Sequence, residues 1–159
     1  MSKKPIIVFE GIEGSGKSYH IARISKYLKK KKINNIRIRE PGGSKNAEKI
    51  RKVILDKKSK FNKYTDLLLY LAARSENLLL LKKYYKNKVI LIDRFVDSTI
   101  AYQHYGFGVD LRFINFINKY LLKNIIIDFT FLNIVDKKNM LGKLDSIYQK
   151  NTRLIIHFC

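Results

Sequence analysis

A glycine-rich segment at residues 11–18 ends in a lysine and a serine. It reads Gly11-Ile12-Glu13-Gly14-Ser15-Gly16-Lys17-Ser18 and fits the pattern G-x-x-x-x-G-K-[ST] in full. Glycines let backbone N–H groups converge on phosphate oxygens, and a helix that begins at the loop adds the positive end of its dipole. In this pattern Lys17 reaches the β- and γ-phosphates and Ser18 binds Mg²⁺. The segment therefore predicts a site for a nucleoside triphosphate and Mg²⁺.

A second polar segment follows an apolar run at residues 89–92. Asp93 stands at the end of that run. A carboxylate at the tip of a strand beside a phosphate-binding loop is suited to interact with the Mg²⁺ ion, in addition to Ser18. Arg94 comes next and can hold a further phosphate group through two parallel hydrogen bonds. Together the two segments predict a site that holds phosphate groups from two sides, as phosphoryl transfer requires.

Alternating strands and helices must position these residues. Short β-branched or apolar runs predict strands at residues 5–9, 36–39, 89–92 and 124–132, with a last strand at 153–158. Helical periodicity predicts helices at residues 18–32, 47–55, 64–85, 97–104, 110–122 and 136–144. This alternation is typical of βαβ units, so we expect an α/β fold with a three-layer parallel sheet of about five strands. We also expect a single domain over residues 1–159. Both polar segments follow predicted strands, and ligands bind such sheets at the carboxyl ends of their strands.

The composition is that of a globular protein with a large excess of positive charge. The chain has 159 residues, 46% of them hydrophobic, and a single cysteine, which excludes an intrachain disulfide framework. No apolar run approaches the roughly 18 residues of a membrane span, so we expect a soluble cytoplasmic protein without a membrane partner. The net charge of +20 favours phosphorylated substrates. A coding bias toward lysine, isoleucine and asparagine explains this excess more simply than a surface for specific nucleic acids.

Several short motifs occur together and in a fixed order. They are FEG at residues 9–11, REPGGS at 39–44, AAR at 72–74, DRF at 93–95 and STIAYQ at 98–103. This ordered set resembles the motif set of thymidylate kinases over residues 4–136, and DFTF at 128–131 is similar to the fourth core strand of that family. The resemblance implies a P-loop nucleotide kinase fold and transfer of the γ-phosphoryl group of ATP to dTMP, with Mg²⁺. It also implies a homodimer packed through long apolar helices such as residues 64–85.

The resemblance implies roles for individual residues. It places the ATP phosphates on residues 11–18, Mg²⁺ at Ser18 and Asp93, and the sugar and phosphate of the acceptor opposite Glu13. The residues implied to be catalytic are Lys17, Arg94, Asp93 and Glu13. The residues implied to bind dTMP are Glu40, Pro41, Arg51, Tyr70, Arg74, Arg94, Ser98, Thr99, Tyr102 and Gln103. In this second set Arg51 and Arg94 approach the acceptor phosphate, Tyr70, Arg74 and Gln103 surround thymine, and Tyr102 lies near the deoxyribose.

The resemblance ends before the chain does. Family members continue with an arginine-rich lid, whereas residues 145–159 form an atypical tail, and the one arginine after Arg112 is Arg153. An arginine that stabilises the transferring phosphoryl group contributes on the order of 10³–10⁵ in rate, so a catalytically impaired nucleotide-binding fragment is an alternative. A deoxynucleoside kinase, which shares the loop and the fold, is another. A nucleic-acid-binding ATPase is a third, although no aromatic-rich basic patch supports it.

Overall fold

The computed structural model of the chain describes residues 3–135. Its strands are β1 (Ile6–Glu10), β2 (Asn35–Arg39), β3 (Val89–Asp93) and β4 (Phe129–Leu132). Its helices are α1 (Lys17–Lys30), α2 (Lys45–Leu55), α3 (Lys63–Tyr84), α4 (Val96–Thr99) and α5 (Leu111–Leu121), and a π-helical segment (Ile100–Gly106) continues α4. The predicted helix at 136–144, the predicted strand at 153–158 and the atypical tail lie outside the described residues.

The described strands form one parallel sheet in the order β2-β3-β1-β4. β3 pairs with β1 on one side, in the register Phe9↔Asp93, and with β2 on the other, in the register Arg39↔Asp93. All residues of β3 before Asp93 are buried, as expected of a central strand in a parallel sheet. The predicted α/β fold with a parallel sheet is confirmed, and the sheet has four strands in the described part of the chain.

Hydrophobic side chains pack on both faces of this sheet. On one face Val8 joins Leu78 and Leu81 of α3 in a buried cluster. On the other face Phe9 packs with Ile21 of α1. Successive side chains of a strand point to opposite faces, so neighbouring residues of β1 anchor helices on opposite sides of the sheet. The result is the predicted three-layer arrangement.

The carboxyl ends of β1, β2 and β3 lie side by side, and backbone hydrogen bonds fix the way the chain leaves them. The Glu40 N–H donates to the carbonyl oxygen of Asp93 at 2.9 Å, and the Arg94 N–H donates to that of Phe9 at 2.9 Å. The phosphate-binding loop, the loop after β2 and the turn after β3 therefore meet at one edge of the sheet, where parallel α/β folds bind ligands.

Two predicted elements differ in extent or type. The strand predicted at 124–132 begins only at Phe129, because its partner β1 begins at Ile6. There the Asp128 carboxylate accepts the Ile6 N–H at 2.8 Å, and the residues before Asp128 have no β1 residue opposite them. The helix predicted at 97–104 is divided into α4 and the π-helical segment. The π-helix is a wider helical form that is rare in proteins overall, and where it occurs it is often at a functional site.

Candidate active site

The glycine-rich loop between β1 and α1 keeps its backbone accessible. Gly11 has φ +137°, and an added Cβ would lie 2.5 Å from the carbonyl oxygen of Asn133, so only glycine fits there. Gly16, at φ +87°, precedes α1, and no side chain caps that helix, whereas Ser44 and Asn62 cap α2 and α3. The first N–H groups of α1 are therefore left to donate to an anion.

Lys17 lies over this loop rather than in solvent. Its Nζ donates to the carbonyl oxygens of Gly11 at 2.9 Å and Ile12 at 2.7 Å, and it lies 3.4 Å from Ser15 Oγ. Burial, with a smaller contribution from the positive charge of Arg94, lowers the pKa of Lys17 to about 8. The amine is held where a phosphate group that enters the loop can replace the two carbonyl oxygens.

The side-chain oxygens of Ser18 and Asp93 lie together beside the loop. Ser18 Oγ donates to Asp93 Oδ2 at 2.8 Å. Hydroxyl and carboxylate oxygens are donors that Mg²⁺ accepts, so this pair fits a Mg²⁺ ion. Within residues 3–135 no group of three or more His, Cys, Asp or Glu side chains is placed to hold a metal. An ion at this pair would therefore take its other ligands from water or from substrate phosphates.

Arg94 adopts an unusual backbone conformation beside the loop. Its φ is +67°, a region that costs a non-glycine residue free energy and persists where the surroundings enforce it. Its guanidinium donates to the carbonyl oxygen of Gly11 at 3.1 Å and to Ser98 Oγ at 3.3 Å, and lies 5.4 Å from the centre of the Tyr102 ring. The buried carboxylate of Glu10 holds this turn, because it accepts the N–H groups of Phe95 at 2.7 Å and Ser98 at 3.3 Å.

Lys17, Ser18, Asp93 and Arg94 line one cavity of about 380 Å³ at the carboxyl edge of the sheet. Its walls are formed by Glu13, Gly14, Gly16, Lys17, Ser18, Tyr19, Arg39, Glu40, Arg51, Asp93 and Arg94. The residues predicted to contact the phosphates of both substrates are therefore brought together. Arg51 is held at this wall by donation from Nη1 to the carbonyl oxygen of Pro41 at 2.6 Å, next to the cis peptide bond between Glu40 and Pro41.

Arg74 lies behind the cavity wall in a network of side chains. Its guanidinium donates to Glu40 Oε2 at 2.8 Å, to Asn118 Oδ1 at 2.6 Å and to Thr99 Oγ1 at 2.9 Å, and it is 2% exposed. Burial raises the pKa of Glu40, while the charge of Arg74 acts in the opposite direction. The ring of Phe95 lies 4.9 Å from the guanidinium carbon. Arg74 is joined to the cavity through Glu40, which lines it.

Gln103 and Tyr70 complete this second group. Gln103 is 1% exposed, and its Nε2 donates to Asp66 Oδ2 at 3.0 Å. Its Oε1 has no hydrogen-bond partner in the described part of the chain. Burial raises the pKa of Tyr70 to about 12, with smaller contributions from Asp66 and Tyr102. The cavity that is lined by the residues predicted to contact phosphates is not lined by Tyr70, Arg74, Thr99, Tyr102 or Gln103.

Sequence reasoning assigned no role to several residues that shape this region. Glu10 and Arg39 fall inside recognised motifs, and their place at strand ends was the signal that could have found them. Arg39 lines the cavity and is held by a salt bridge to Glu48 at 2.8 Å, which lowers the pKa of Glu48 to about 2. Asp66 and Asn118 lie in ordinary helical sequence, where no spacing distinguishes them from solvent-facing polar residues.

Comparison with known proteins identifies similar chains. A family model described as thymidylate kinase matches residues 9–153. The thymidylate kinase of Chlorobium phaeobacteroides is 38% identical over 141 residues, which cover 87% of this chain and 64% of the relative. That of Acholeplasma laidlawii is 42% identical over 150 residues, which cover 89% of this chain and 74% of the relative. The chain thus spans about two thirds to three quarters of the length of these relatives.

A solved structure agrees with the sequence comparisons. The crystal structure of thymidylate kinase from Ehrlichia chaffeensis superposes on this chain with a TM-score of 0.74 at 32% sequence identity. The match covers 94% of this chain and 84% of the other.

Proposed function

The chain belongs to the thymidylate kinase family, and we propose that it transfers the γ-phosphoryl group of ATP to dTMP, giving dTDP. The cavity of about 380 Å³ carries this proposal, because the phosphate-binding loop, Arg51 and Arg94 line it together. Phosphoryl transfer needs two phosphate-bearing molecules held end to end, and its catalysis is mostly positioning and charge stabilisation. The loop supplies donors for one molecule and the arginines supply donors for the other.

On the ATP side, the loop and α1 bind the phosphates through backbone N–H groups. Lys17 exchanges the carbonyl oxygens of Gly11 and Ile12 for phosphate oxygens. That exchange turns hydrogen bonds to neutral acceptors into charge-assisted ones. Ser18 and Asp93 are the residues that would hold Mg²⁺, and the ion would supply positive charge to neutralise the phosphate oxygens.

On the dTMP side, Arg51 and Arg94 release their carbonyl partners and hold the acceptor phosphate. Tyr70, Arg74 and Gln103 surround the thymine. The other residues of this side support them. Ser98 accepts a hydrogen bond from Arg94 and Thr99 accepts one from Arg74. Tyr102 lies beside the deoxyribose, Glu13 faces the sugar, and Glu40 and Pro41 shape the wall. The acceptor phosphate is already ionised, so no general base is needed. A nucleoside kinase, in contrast, must remove a proton from a hydroxyl.

The assembly and location expected from the sequence are part of the same proposal. Leu68 and Leu79 of α3 are 52% and 65% exposed, and such apolar side chains favour packing against a second copy of the chain. Light scattering after gel filtration tests the homodimer, and a Leu79→Lys variant should shift it to a monomer. None of the helices in residues 3–135 combines the length and the apolar character that a membrane span requires. The cytoplasmic location stays a prediction.

The proposed reaction is tested by measuring ADP release from MgATP with dTMP, with thymidine and with neither. We expect turnover with dTMP alone, and a Lys17→Met variant controls for contaminating kinases. Turnover with thymidine instead would identify a deoxynucleoside kinase. ADP release without an acceptor that rises with single-stranded DNA would identify a nucleic-acid-binding ATPase. Folded protein that binds dTMP without turnover would be a catalytically impaired nucleotide-binding protein.

A further inference from the structure

The amide of Gln103 is held in one orientation by a single residue, Asp66. The Gln103 Nε2 donates to Asp66 Oδ2 at 3.0 Å, and the side chain is 1% exposed. A carboxylate accepts hydrogen bonds and does not donate them. If the amide were turned over, its oxygen would face the carboxylate oxygen, which is repulsive. Asp66, in the first turn of α3, therefore determines which end of the amide is left for another partner.

The end that is left is an acceptor without a donor. Gln103 Oε1 is buried and has no hydrogen-bond partner among residues 3–135. A buried acceptor of this kind destabilises a protein unless a ligand or water satisfies it. Four residues earlier, at the end of α4, Thr99 accepts a hydrogen bond from Arg74 at 2.9 Å. The guanidinium of Arg74 is buried and can only donate hydrogen bonds. It is bonded to the end of the helix that leads into Gln103, whose buried Oε1 can only accept them.

We propose that Asp66 is a positioning residue that sets the base specificity of the acceptor site, an inference that rests on the proposed function. By fixing Gln103 with Oε1 available, it makes the site accept the N3–H of thymine or uracil. In cytosine N3 is itself an acceptor, and the carbonyl at position 4 is replaced by an amino group. Cytosine would therefore leave Gln103 Oε1 unpaired and place its amino group against Arg74. The site therefore distinguishes thymine and uracil from cytosine by whether N3 of the base carries a proton.

The test compares wild type with Asp66→Asn, using kcat and KM for dTMP, dUMP and dCMP. Wild type should favour dTMP over dCMP in kcat/KM by on the order of 10²-fold or more. The amide that this variant puts in place of the carboxylate can face Gln103 with either end, so Gln103 can turn its nitrogen toward the base. We expect the KM for dTMP to rise about tenfold with kcat little changed, and the preference over dCMP to shrink by about tenfold. Glu76→Gln is the matched control, since Glu76 lies on the same helix and bonds Asn46 at the surface.

Each outcome separates the inference from the proposed function. If Asp66→Asn lowers kcat/KM equally for all three nucleotides, Asp66 supports the fold only and the inference is wrong, while dTMP kinase activity stands. If wild type binds dTMP without turnover, calorimetric binding of dTMP and dCMP to both proteins gives the same ratio test. If wild type neither binds nor phosphorylates dTMP, both statements fail. Should Asp66→Asn not fold, Gln103→Met removes the acceptor itself and should also reduce the preference for dTMP over dCMP.

Discussion

The proposed site has a phosphate end, which carries Lys17, Arg51 and Arg94, and a base end around Arg74. The two ends hold their cationic side chains in different ways. At the phosphate end, Lys17, Arg51 and Arg94 donate to backbone carbonyl oxygens, at 2.7 Å to Ile12, 2.6 Å to Pro41 and 3.1 Å to Gly11. At the base end, Arg74 donates to three other side chains and is 2% exposed. At one end, cations that line an open cavity bond to neutral acceptors, and at the other the cation belongs to a buried ion pair.

This difference indicates which end can change partners. A cation on a neutral carbonyl oxygen gains when an anionic phosphate replaces that oxygen, because charge-assisted hydrogen bonds are stronger. A buried guanidinium paired with a carboxylate loses heavily if the pair is broken. The phosphate end is therefore built to exchange its hydrogen bonds on binding, and the base end to keep its shape before binding. Variants at the two ends should separate into losses of rate and losses of stability.

The largest effect is expected from breaking the buried pair between Arg74 and Glu40. Either Glu40→Gln or Arg74→Met should lower the free energy of unfolding by about 3–5 kcal/mol, since each leaves an uncompensated buried group. The double variant should lose less than the sum of the two. Urea denaturation of all four proteins measures these values. Additive losses would show that the pair is not coupled and that the base end is not held in the way described.

Two features sharpen this double-mutant cycle. In Arg74→Met the unpaired Glu40 is a carboxyl whose pKa burial already raises, so the folded variant binds more protons than the unfolded one. Its loss of stability should therefore grow as the pH rises above the usual carboxyl range. Arg112→Met is the matched control, because its salt bridge to Asp110 is exposed. That change should leave the free energy of unfolding essentially unchanged.

The same contrast explains what the sequence could predict. The phosphate end is formed by contiguous residues whose chemistry depends on local backbone geometry, so residues 11–18 and Asp93 could be assigned from type and spacing. The base end combines a loop, three helices and a π-helical segment. Asn118 and Asp66 carry no local signal, because a polar residue on an amphipathic helix is usually solvent-facing. The predicted start of the strand at 124–132 was wrong for a related reason. The length of β1 limits how many residues of that strand can pair with it.

The second-largest effect is expected on the catalytic rate when Lys17 is replaced. Lys17→Met should lower kcat by about 10²–10³-fold, the usual loss when one donor to developing charge is removed. The free energy of unfolding should change little, because Gly11 and Ile12, whose carbonyl oxygens accept from Lys17, are only half-buried and water can replace the amine. Steady-state kinetics and denaturation together test this, with Lys29→Met, an exposed change on the same helix, as control. A variant that loses stability but keeps kcat would remove the distinction between the two ends.

A smaller effect on stability is expected from Gly43, which lies in the loop after β2. Gly43 has φ +107°, and an added Cβ would lie 2.8 Å from Ile38 Cγ2 and 2.9 Å from Asn77 Oδ1. Gly43→Ala should therefore cost about 1–3 kcal/mol of unfolding free energy and raise the KM for dTMP. At Gly106 an added Cβ meets only Ala101 O, at 3.7 Å, so Gly106→Ala is the control. Equal melting temperatures for the two variants would contradict the strain assigned to this turn.

The smallest effect concerns the protonation of Lys17, whose pKa burial lowers to about 8. Neutral Lys17 attracts phosphate less, so the affinity for ATP should fall by up to about tenfold for each pH unit above that value. Unfolding of the protein does not explain such a loss of affinity. Between about pH 8 and the ordinary lysine pKa of 10.5, Lys17 binds more protons in the unfolded chain than in the folded one. Lys17 therefore makes the free energy of unfolding rise with pH in this range. Bound phosphates should restore the charge, and calorimetry in two buffers of different ionisation enthalpy should therefore detect proton uptake on ATP binding at pH 8.5 but not at pH 7. Proton uptake that persists in Lys17→Met would assign it to another group and leave Lys17 charged throughout.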